Sequence, residues 1–245
     1  ILDGGFQITS GDEFIYHEMM AHVPLFAHGS AERVLIIGGG DGGIARELLR
    51  HRTVEAVTLV EIDKAVVDLA LSQFPQVSAG AFSSERLDLT IADGAAFVAE
   101  TDERYDVIIV DSPDPVGAGK VLFDRSFYVQ CHRILRAGGI LITQSGMPFL
   151  TPDWFSGHAA DLSLVFKHAD YYLSTVPSYT GGPMAHGFAT DNGSRSAVTT
   201  DLLRQRYRDA GAFPLSYWTP EVHGAAFALP PYIERLRKRP DAPLP

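Results

Sequence analysis

Acidic side chains follow four separate apolar runs of this chain, at the point where each run ends. They are Asp41, Glu61 with Asp63, Asp93, and Asp111 with Asp114. If these runs are strands of a parallel sheet, their carboxyl ends share one edge, and open α/β sheets bind ligands at that edge. Carboxylates gathered there suit a cationic ligand, a divalent metal or proton transfer.

The glycine turn after the first apolar run contains one of these acids. Gly38, Gly40 and Gly43 have the G-x-G-x-x-G spacing of a nucleotide-binding turn, between a strand-like run and a helix-like run. Asp41 within this turn would repel the phosphates of a dinucleotide. The turn therefore indicates a nucleoside that carries positive charge, such as a sulfonium compound.

Two further acids have both a binding and a structural interpretation. Glu61 lies where a Rossmann-type site places the acid that accepts hydrogen bonds from ribose hydroxyls. The alternative is an acid that interacts with the dipole of the next helix, although Asp63 is better placed to cap that helix. Asp93, followed by Gly94, could accept from an adenine amino group or only cap a helix.

The segment 111–117 places two acids three residues apart in a loop stiffened by proline. Within this loop no Lys or Arg precedes Lys120 to neutralise Asp111 and Asp114. Such a pair could bind a cationic amine or a divalent metal, or act as a general acid and a general base. The alternative is a turn in which both acids are solvated. The chain has no HExxH motif, which favours the amine over a metal.

Tyr16 and Tyr179 could line the methylenes of an amine and contact its ammonium group.

Strand-like and helix-like runs alternate along the chain, which is typical of a parallel sheet with helices on both faces. We predict a Rossmann-like, methyltransferase-type α/β fold whose seven-stranded sheet is mostly parallel with one antiparallel strand. The predicted strands are 33–37, 56–60, 87–91, 105–110 and 139–144, with a closing antiparallel pair at 169–176 and 184–190. The predicted helices are 63–72, 94–100, 124–135 with Gly138-Gly139 as its stop, 152–167 and 200–210.

The predicted domains are a remnant of an N-terminal β-rich domain with its connection at 1–20, a catalytic domain at 21–235 and a flexible tail at 236–245. Residues 2–8 look like the second strand of a hairpin, so we expect an upstream segment. A formal net charge of −10 argues against nucleic-acid binding. The single Cys131, the lack of a signal peptide and the lack of a long apolar run predict a soluble cytoplasmic protein without membrane contact.

An ordered set of motifs resembles the bacterial spermidine synthases, which are polyamine aminopropyltransferases, over nearly the whole chain. The motifs are 2–4 with Gln7, 12–20, 22–25, 38–43, 60–63, 93–94, 111–117, 122–123, Gln144, 177–179 and 223–230. The resemblance implies aminopropyl transfer from decarboxylated S-adenosylmethionine to putrescine, which gives spermidine and methylthioadenosine. It also implies a homodimer, no resident cofactor and no metal.

The same resemblance assigns a role to each matching position. Asp111 would be the proton acceptor. The nucleoside contacts would be Gln7, Gly38, Gly40, Asp41, Glu61, Asp93, Gly94 and Ser112. The amine contacts would be Tyr16, His17, Asp41, Asp114, Tyr179 and, as a lesser contact, Gln144. Ala118 stands where the family usually has proline, which we expect to loosen the loop over the nucleoside.

Three other functions fit parts of this pattern. An S-adenosylmethionine-dependent amine N-methyltransferase would use the same sheet and Glu61. A weakly active polyamine- or nucleoside-binding protein would result if the N-terminal domain were truly absent. An NAD dehydrogenase is disfavoured by Asp41 in the turn. Asp41 together with Asp111 and Asp114 favours aminopropyl transfer.

Overall fold

A computed structural model describes residues 7–112 and 117–238 of this chain. Their centre is a sheet of seven strands. The strands are β1 Arg33–Gly38, β2 Ala56–Glu61, β3 Leu87–Ile91, β4 Tyr105–Asp111, β5 Leu135–Gln144, β6 His168–Ser174 and β7 Met184–Thr190. Their order is β3-β2-β1-β4-β5-β7-β6, and β7 runs antiparallel to both of its neighbours. The predicted fold class, with its closing antiparallel pair, is confirmed.

Helices cover both faces of this sheet. They are α1 Glu13–His28, α2 Gly43–Leu48, α3 Lys64–Gln73, α4 Pro75–Ser78, α5 Gly94–Glu100, α6 Arg125–Ile134, α7 Pro152–Val165, α8 Thr200–Asp209, α9 Pro220–Ala226 and α10 Pro231–Lys238, with 3₁₀ helices at Ala81–Ser83 and Gly117–Phe123. The strands alternate their side chains between two cores. Val34 and Ile36 of β1 pack with α1 and α2, whereas Leu35 and Ile37 pack with α5, α6 and α7.

The chain changes direction across the sheet between β1 and β4. These strands pair in parallel, and Gly38 at the end of β1 lies opposite Asp111 at the end of β4. β2 continues the sheet on one side of this pair and β5 continues it on the other. The carboxyl ends of β1 and β4 therefore flank the switch point, where α/β sheets bind their ligands.

Helix α1 is not among the predicted elements, although it carries two of the predicted site residues. It spans Glu13–His28, and 14 of its residues are buried. The predicted domain boundary between residues 20 and 21 falls inside this helix. Gln7 and Ile8, which were predicted to belong to a hairpin strand, lie outside any strand, and residues 1–6 of that prediction lie outside the described residues.

Two boundaries differ from the predicted ones for physical reasons. Gly138-Gly139 is not a helix stop, because α6 ends at Ile134 and β5 already begins at Leu135. Leu135 pairs with Tyr105, and the register shifts before Val107, which accommodates the left-handed Gly138. Helix α10 continues to Lys238 because Leu236 is buried, so this helix includes residues 236–238 of the predicted tail.

Candidate active site

Asp111 ends β4 with its carboxylate partly buried at the centre of the predicted site. Tyr16, from α1, donates a hydrogen bond of 2.6 Å from its hydroxyl to Oδ1 of Asp111. Burial, followed by the negative charge of Asp41, raises the pKa of Asp111 to about 6. A carboxylate with this pKa is ionised at neutral pH and is a stronger base than an ordinary aspartate, as general base catalysis requires.

Asp41 lies in the turn after β1, beside the imidazole of His17. Its Oδ1 accepts a hydrogen bond of 2.6 Å from the backbone N–H of Gly43 and lies 3.4 Å from Nε2 of His17. Burial alone would raise the pKa of Asp41, but the charge and hydrogen bond of His17 lower it overall. Asp41 is therefore a carboxylate held in a fixed position, and its negative charge contributes to the raised pKa of Asp111.

The glycine turn is shaped by contacts with the neighbouring strands. Gly38 has a φ of +83°, and a Cβ placed there would lie 1.9 Å from the backbone oxygen of Asp111. A Cβ on Gly40 would lie 2.7 Å from Oε2 of Glu61. The turn thus lets the backbone approach both β4 and the Glu61 side chain closely.

Glu61 ends β2 with its carboxylate buried and oriented by backbone donors. Oε1 accepts a hydrogen bond of 2.9 Å from the N–H of Asp63, and Oε2 accepts one of 3.2 Å from the N–H of Gly40. Burial raises the pKa of Glu61. Asp63 takes the capping position of α3 as predicted, because its side chain accepts from the N–H of Ala65. Glu61 is therefore not the cap of α3, which leaves its carboxylate for another role.

Asp93 and Gly94 begin α5 beside the ends of β1 and β2. The Asp93 side chain caps this helix, since its Oδ1 accepts from the N–H groups of Ala95 and Ala96 at 2.8 and 3.0 Å. A Cβ on Gly94 would lie 2.4 Å from Cγ2 of Ile37, so this glycine lets α5 pack closely on β1. The capping interpretation of Asp93 is confirmed, and its contact with adenine stays a prediction.

Two tyrosines form a wall on the α1 side of Asp111. The rings of Tyr16 and Tyr179 are 6.3 Å apart and meet edge to face. Burial raises the pKa of both hydroxyls above the ordinary value, so both remain neutral. The Tyr179 hydroxyl donates 2.6 Å to the backbone oxygen of Gln7, which brings Gln7 to this wall through its main chain. The predicted nucleoside contact of the Gln7 side chain stays a prediction.

The remaining predicted residues lie at the ends of β4 and β5 or outside the described part. Ser112 is buried directly after Asp111, and its hydroxyl has no hydrogen-bond partner among the described residues. Gln144 is buried at the end of β5, opposite His186 of β7. Asp114, predicted to contact the amine, lies outside the described residues, as does the side chain of Ala118.

The structure adds three charged residues that were absent from the predicted site. Asp12 precedes α1 and accepts a hydrogen bond of 2.7 Å from the N–H of Ser178, which fixes the segment before Tyr179. Glu13 contacts His17 and also pairs with Arg46 of α2. The i, i+4 spacing of Glu13 and His17 would have indicated their contact if a helix had been predicted there.

The described residues lack two further features. Residues 7–112 and 117–238 contain no group of three or more His, Cys, Asp or Glu side chains that could hold a metal ion. Across the same ranges, no helix is long and apolar enough to cross a membrane.

Known proteins share both the sequence and the fold of this chain. The family model of the spermine/spermidine synthase domain matches residues 13–200. A polyamine aminopropyltransferase of Ruegeria sp. (strain TM1040) is 52% identical over 235 residues, which cover 96% of this chain and 82% of the relative. One from Pseudomonas syringae pv. tomato is 49% identical over 232 residues, which cover 95% of this chain and 81% of the relative.

Two solved structures extend this similarity to three dimensions. A spermidine synthase in complex with the transition state analogue AdoDATO superposes with a TM-score of 0.91 at 38% identity, covering 97% of this chain and 80% of the other. The spermidine synthase from Thermotoga maritima gives a TM-score of 0.89 at 37% identity, covering 97% of this chain and 79% of the other.

Proposed function

The chain belongs to the spermine/spermidine synthase domain family and is a polyamine aminopropyltransferase, and we propose that it joins the aminopropyl group of decarboxylated S-adenosylmethionine to putrescine. The products are spermidine and methylthioadenosine. The observation that carries the proposal is the position of the Asp111 carboxylate, whose pKa is raised, between the acidic turn of Asp41 and the tyrosine wall of Tyr16 and Tyr179.

Asp111 acts as the proton acceptor in this proposal. An alkyl ammonium group with a pKa of about 10.4, like that of lysine, needs roughly 4 to 5 kcal/mol to lose its proton at pH 7. The pKa of Asp111, about 6, is closer to the pKa of this amine than the pKa of an ordinary aspartate is, so less free energy is needed to transfer the proton. Tyr16 holds Oδ1 of Asp111, which orients the carboxylate before the amine arrives.

The reaction is a single displacement with no covalent enzyme intermediate. The freed amine nitrogen attacks the methylene carbon beside the sulfonium, a new C–N bond forms, and the C–S bond breaks with its electron pair returning to sulfur. The proton lost by the amine passes to Asp111, and methylthioadenosine leaves as a neutral thioether. Holding donor and amine in one cleft lowers the barrier by several kcal/mol, about 7 at the lower end for well-oriented reactants.

The donor is recognised on the β1 and β2 side of the site. We assign the Asp41 carboxylate to the ammonium of the aminopropyl group and Glu61 to the ribose hydroxyls. Ordinary S-adenosylmethionine keeps a carboxylate next to its ammonium group, and Asp41 would repel it. This repulsion selects the decarboxylated donor.

The amine is recognised on the α1 side of the site. The neutral hydroxyls of Tyr16 and Tyr179 and the faces of their rings can line a short methylene chain and its distal ammonium group. Gln144 and Asp114 keep their predicted places in amine binding, whereas the two ring nitrogens of His17 face Glu13 and Asp41, so we assign His17 to Asp41 and not to the amine. A homodimer and a cytoplasmic location also stay predictions.

One product analysis tests the proposal. Putrescine is incubated with the purified chain and either decarboxylated S-adenosylmethionine or S-adenosylmethionine, and the products are identified by mass spectrometry. We expect spermidine and methylthioadenosine from the decarboxylated donor alone. Formation of N-methylputrescine without spermidine would instead establish an amine methyltransferase. The same assay across a series of diamines gives the chain-length preference.

A further inference from the structure

The imidazole of His17 lies between two carboxylates. Its Nδ1 is 2.5 Å from Oε2 of Glu13, and its Nε2 is 3.4 Å from Oδ1 of Asp41. The residue is 2% exposed. Burial alone lowers the pKa of His17, but the charges and hydrogen bonds of Asp41 and Glu13 raise it to about 10. The ring is therefore an imidazolium that joins the two acids.

Glu13 is itself held in place from α2. Arg46 donates from Nη1 to Oε1 and from Nη2 to Oε2 of Glu13, each at 3.0 Å. Arg46 is anchored in turn by Oε1 of Glu47 at 2.7 Å and the backbone oxygen of Val77 at 2.6 Å. Two parallel bonds between a guanidinium and a carboxylate fix geometry as well as charge.

The glycine turn makes room for this ring. A Cβ on Gly43 would lie 2.2 Å from both Nδ1 and Cε1 of His17, and the backbone of Gly43 has no left-handed φ. Gly43 begins α2, where alanine is otherwise a better helix residue. The third glycine of the turn is thus explained by the space that His17 needs.

We propose that Glu13, fixed by Arg46, is a positioning residue that holds the His17 imidazole against Asp41 and so keeps the Asp41 carboxylate placed for the donor's ammonium group. The four side chains carry alternating charges, negative on Glu13 and Asp41 and positive on His17 and Arg46. Loss of the Glu13 carboxylate removes the partner of Nδ1, so the ring is no longer held with Nε2 against Asp41. This inference rests on the proposed function.

The test compares two nucleosides that differ in charge. Binding of decarboxylated S-adenosylmethionine and of methylthioadenosine, which lacks both cationic groups, is measured by calorimetry for wild type and Glu13→Gln. We expect the affinity for the donor to fall about 10-fold or more, the loss expected from one charge-assisted hydrogen bond, and the affinity for methylthioadenosine to stay within about 2-fold. Equal weakening of both ligands, or of neither, would overturn the inference.

Two further variants separate positioning from general damage. Gly43→Ala displaces the His17 ring without changing a charge, and we expect the same selective loss of donor affinity. Asp106→Asn is the matched control, because Asp106 is also buried and paired with an arginine, Arg136, but lies near the opposite end of β4. It should leave the affinity ratio of the two nucleosides unchanged.

A double-mutant cycle tests whether Glu13 acts through His17. In a His17→Gln background, Glu13→Gln should cause no further loss of donor affinity, whereas additive losses would contradict the positioning role.

Nitrogen-15 NMR of the His17 ring gives a readout that needs no substrate. Wild type should show two protonated ring nitrogens at pH 7.5, and Glu13→Gln should lose one. If wild type binds no donor, the proposed function fails, while the NMR result still decides whether Glu13 holds His17 as an imidazolium.

Discussion

Tyr16 and Asp111 lie 95 residues apart in the sequence, and the hydroxyl of Tyr16 donates a hydrogen bond of 2.6 Å to the Asp111 carboxylate. This contact joins the first helix to the last residue of the fourth strand. It opposes the effect of burial, because a hydrogen bond to the charged form lowers the pKa of Asp111 while burial raises it. Burial and the Tyr16 hydrogen bond thus act on the pKa of Asp111 in opposite directions, and the hydrogen bond can be removed without changing a charge.

The first prediction concerns Tyr16→Phe, which removes this hydrogen bond. The pKa of Asp111 should rise above about 6, so the acid limb of the kcat/KM profile for putrescine should move to higher pH. At pH 6.5 the rate should fall about 3-fold or more, because a pKa rise of one unit, about 1.4 kcal/mol, lowers the ionised fraction of Asp111 from roughly three quarters to roughly one quarter. Tyr172→Phe removes another buried hydroxyl, bonded to the oxygen of Met19, and should leave the acid limb in place. An unmoved limb in Tyr16→Phe would show that the bond does not tune the base.

The second prediction concerns Asp111→Asn, which keeps an acceptor for Tyr16 but removes the base. Turnover should fall by about 10²- to 10⁴-fold, the usual contribution of a general base. Affinity for decarboxylated S-adenosylmethionine should be largely retained, because the donor contacts are assigned to β1 and β2. Single-turnover rates and calorimetry measure the two effects. A near-normal rate would remove Asp111 as the base.

The third prediction is that the same substitution stabilises the fold. The pKa of Asp111 is raised from 3.8 to about 6, so the unfolded chain ionises this group at lower pH than the folded chain does. Stability is therefore lost as pH rises between about 4 and 6, and the loss is complete above pH 6. At pH 8 Asp111→Asn should raise the free energy of unfolding by at most about 3 kcal/mol. Urea titrations from pH 4 to pH 8 should show this gain growing with pH, and a constant gain would contradict the assignment.

The fourth prediction concerns Gly40→Ala in the glycine turn. The new Cβ would lie 2.7 Å from Oε2 of Glu61, which must then leave the backbone N–H that orients it. Affinity for methylthioadenosine should fall about 10-fold, the loss expected for one displaced hydrogen bond to a charged group. Gly157→Ala, where nothing lies within 4 Å of the added methyl, is the control and should bind normally. Unchanged binding in Gly40→Ala would show that the position of the Glu61 carboxylate does not matter for nucleoside recognition.

The fifth prediction concerns stability away from the site. The carboxylate of Glu18 accepts hydrogen bonds of 2.7, 2.8 and 2.7 Å from the backbone N–H groups of Ser216, Tyr217 and Trp218. Glu18→Gln should lower the free energy of unfolding by about 1.5 to 3 kcal/mol, as for buried bonds to a charged group. The KM values should not change. Asp68→Asn, which removes an exposed partner of Lys64, should cost less than about 1 kcal/mol. Equal costs would show that the Glu18 contacts contribute no more than a surface pair.

The parallel half of the sheet was predictable from sequence because its strands are short, buried and separated by turn residues. The first strand was predicted from Arg33 to Ile37, and the structure adds one residue, Gly38, at its end. Helix α1 was missed because it is buried on almost every side and contains Pro24, so it lacks the polar face that marks a helix in a sequence. Its existence depends on packing against distant elements.

The acids of the candidate site were predictable for a geometric reason. Asp41, Glu61 and Asp111 follow strands, and parallel strands bring their carboxyl ends together. The connection from Asp41 through His17 to Glu13 was not predictable, because it requires α1 to lie against α2 at one particular rotation. For Asp93 the sequence allowed either a binding role or a capping role. Its hydrogen bonds to the first N–H groups of α5 show the capping role.

The contact between Gly38 and Asp111 changes what this pair of positions can tell a reader of related sequences. An added methyl at position 38 would meet the main-chain oxygen of residue 111, not its side chain. Any relative that keeps this strand register needs the glycine, whether or not it has kept the acid. Glycine at 38 is therefore a marker of the strand register, and of the two positions the residue at 111 is the one that bears on the proposed activity.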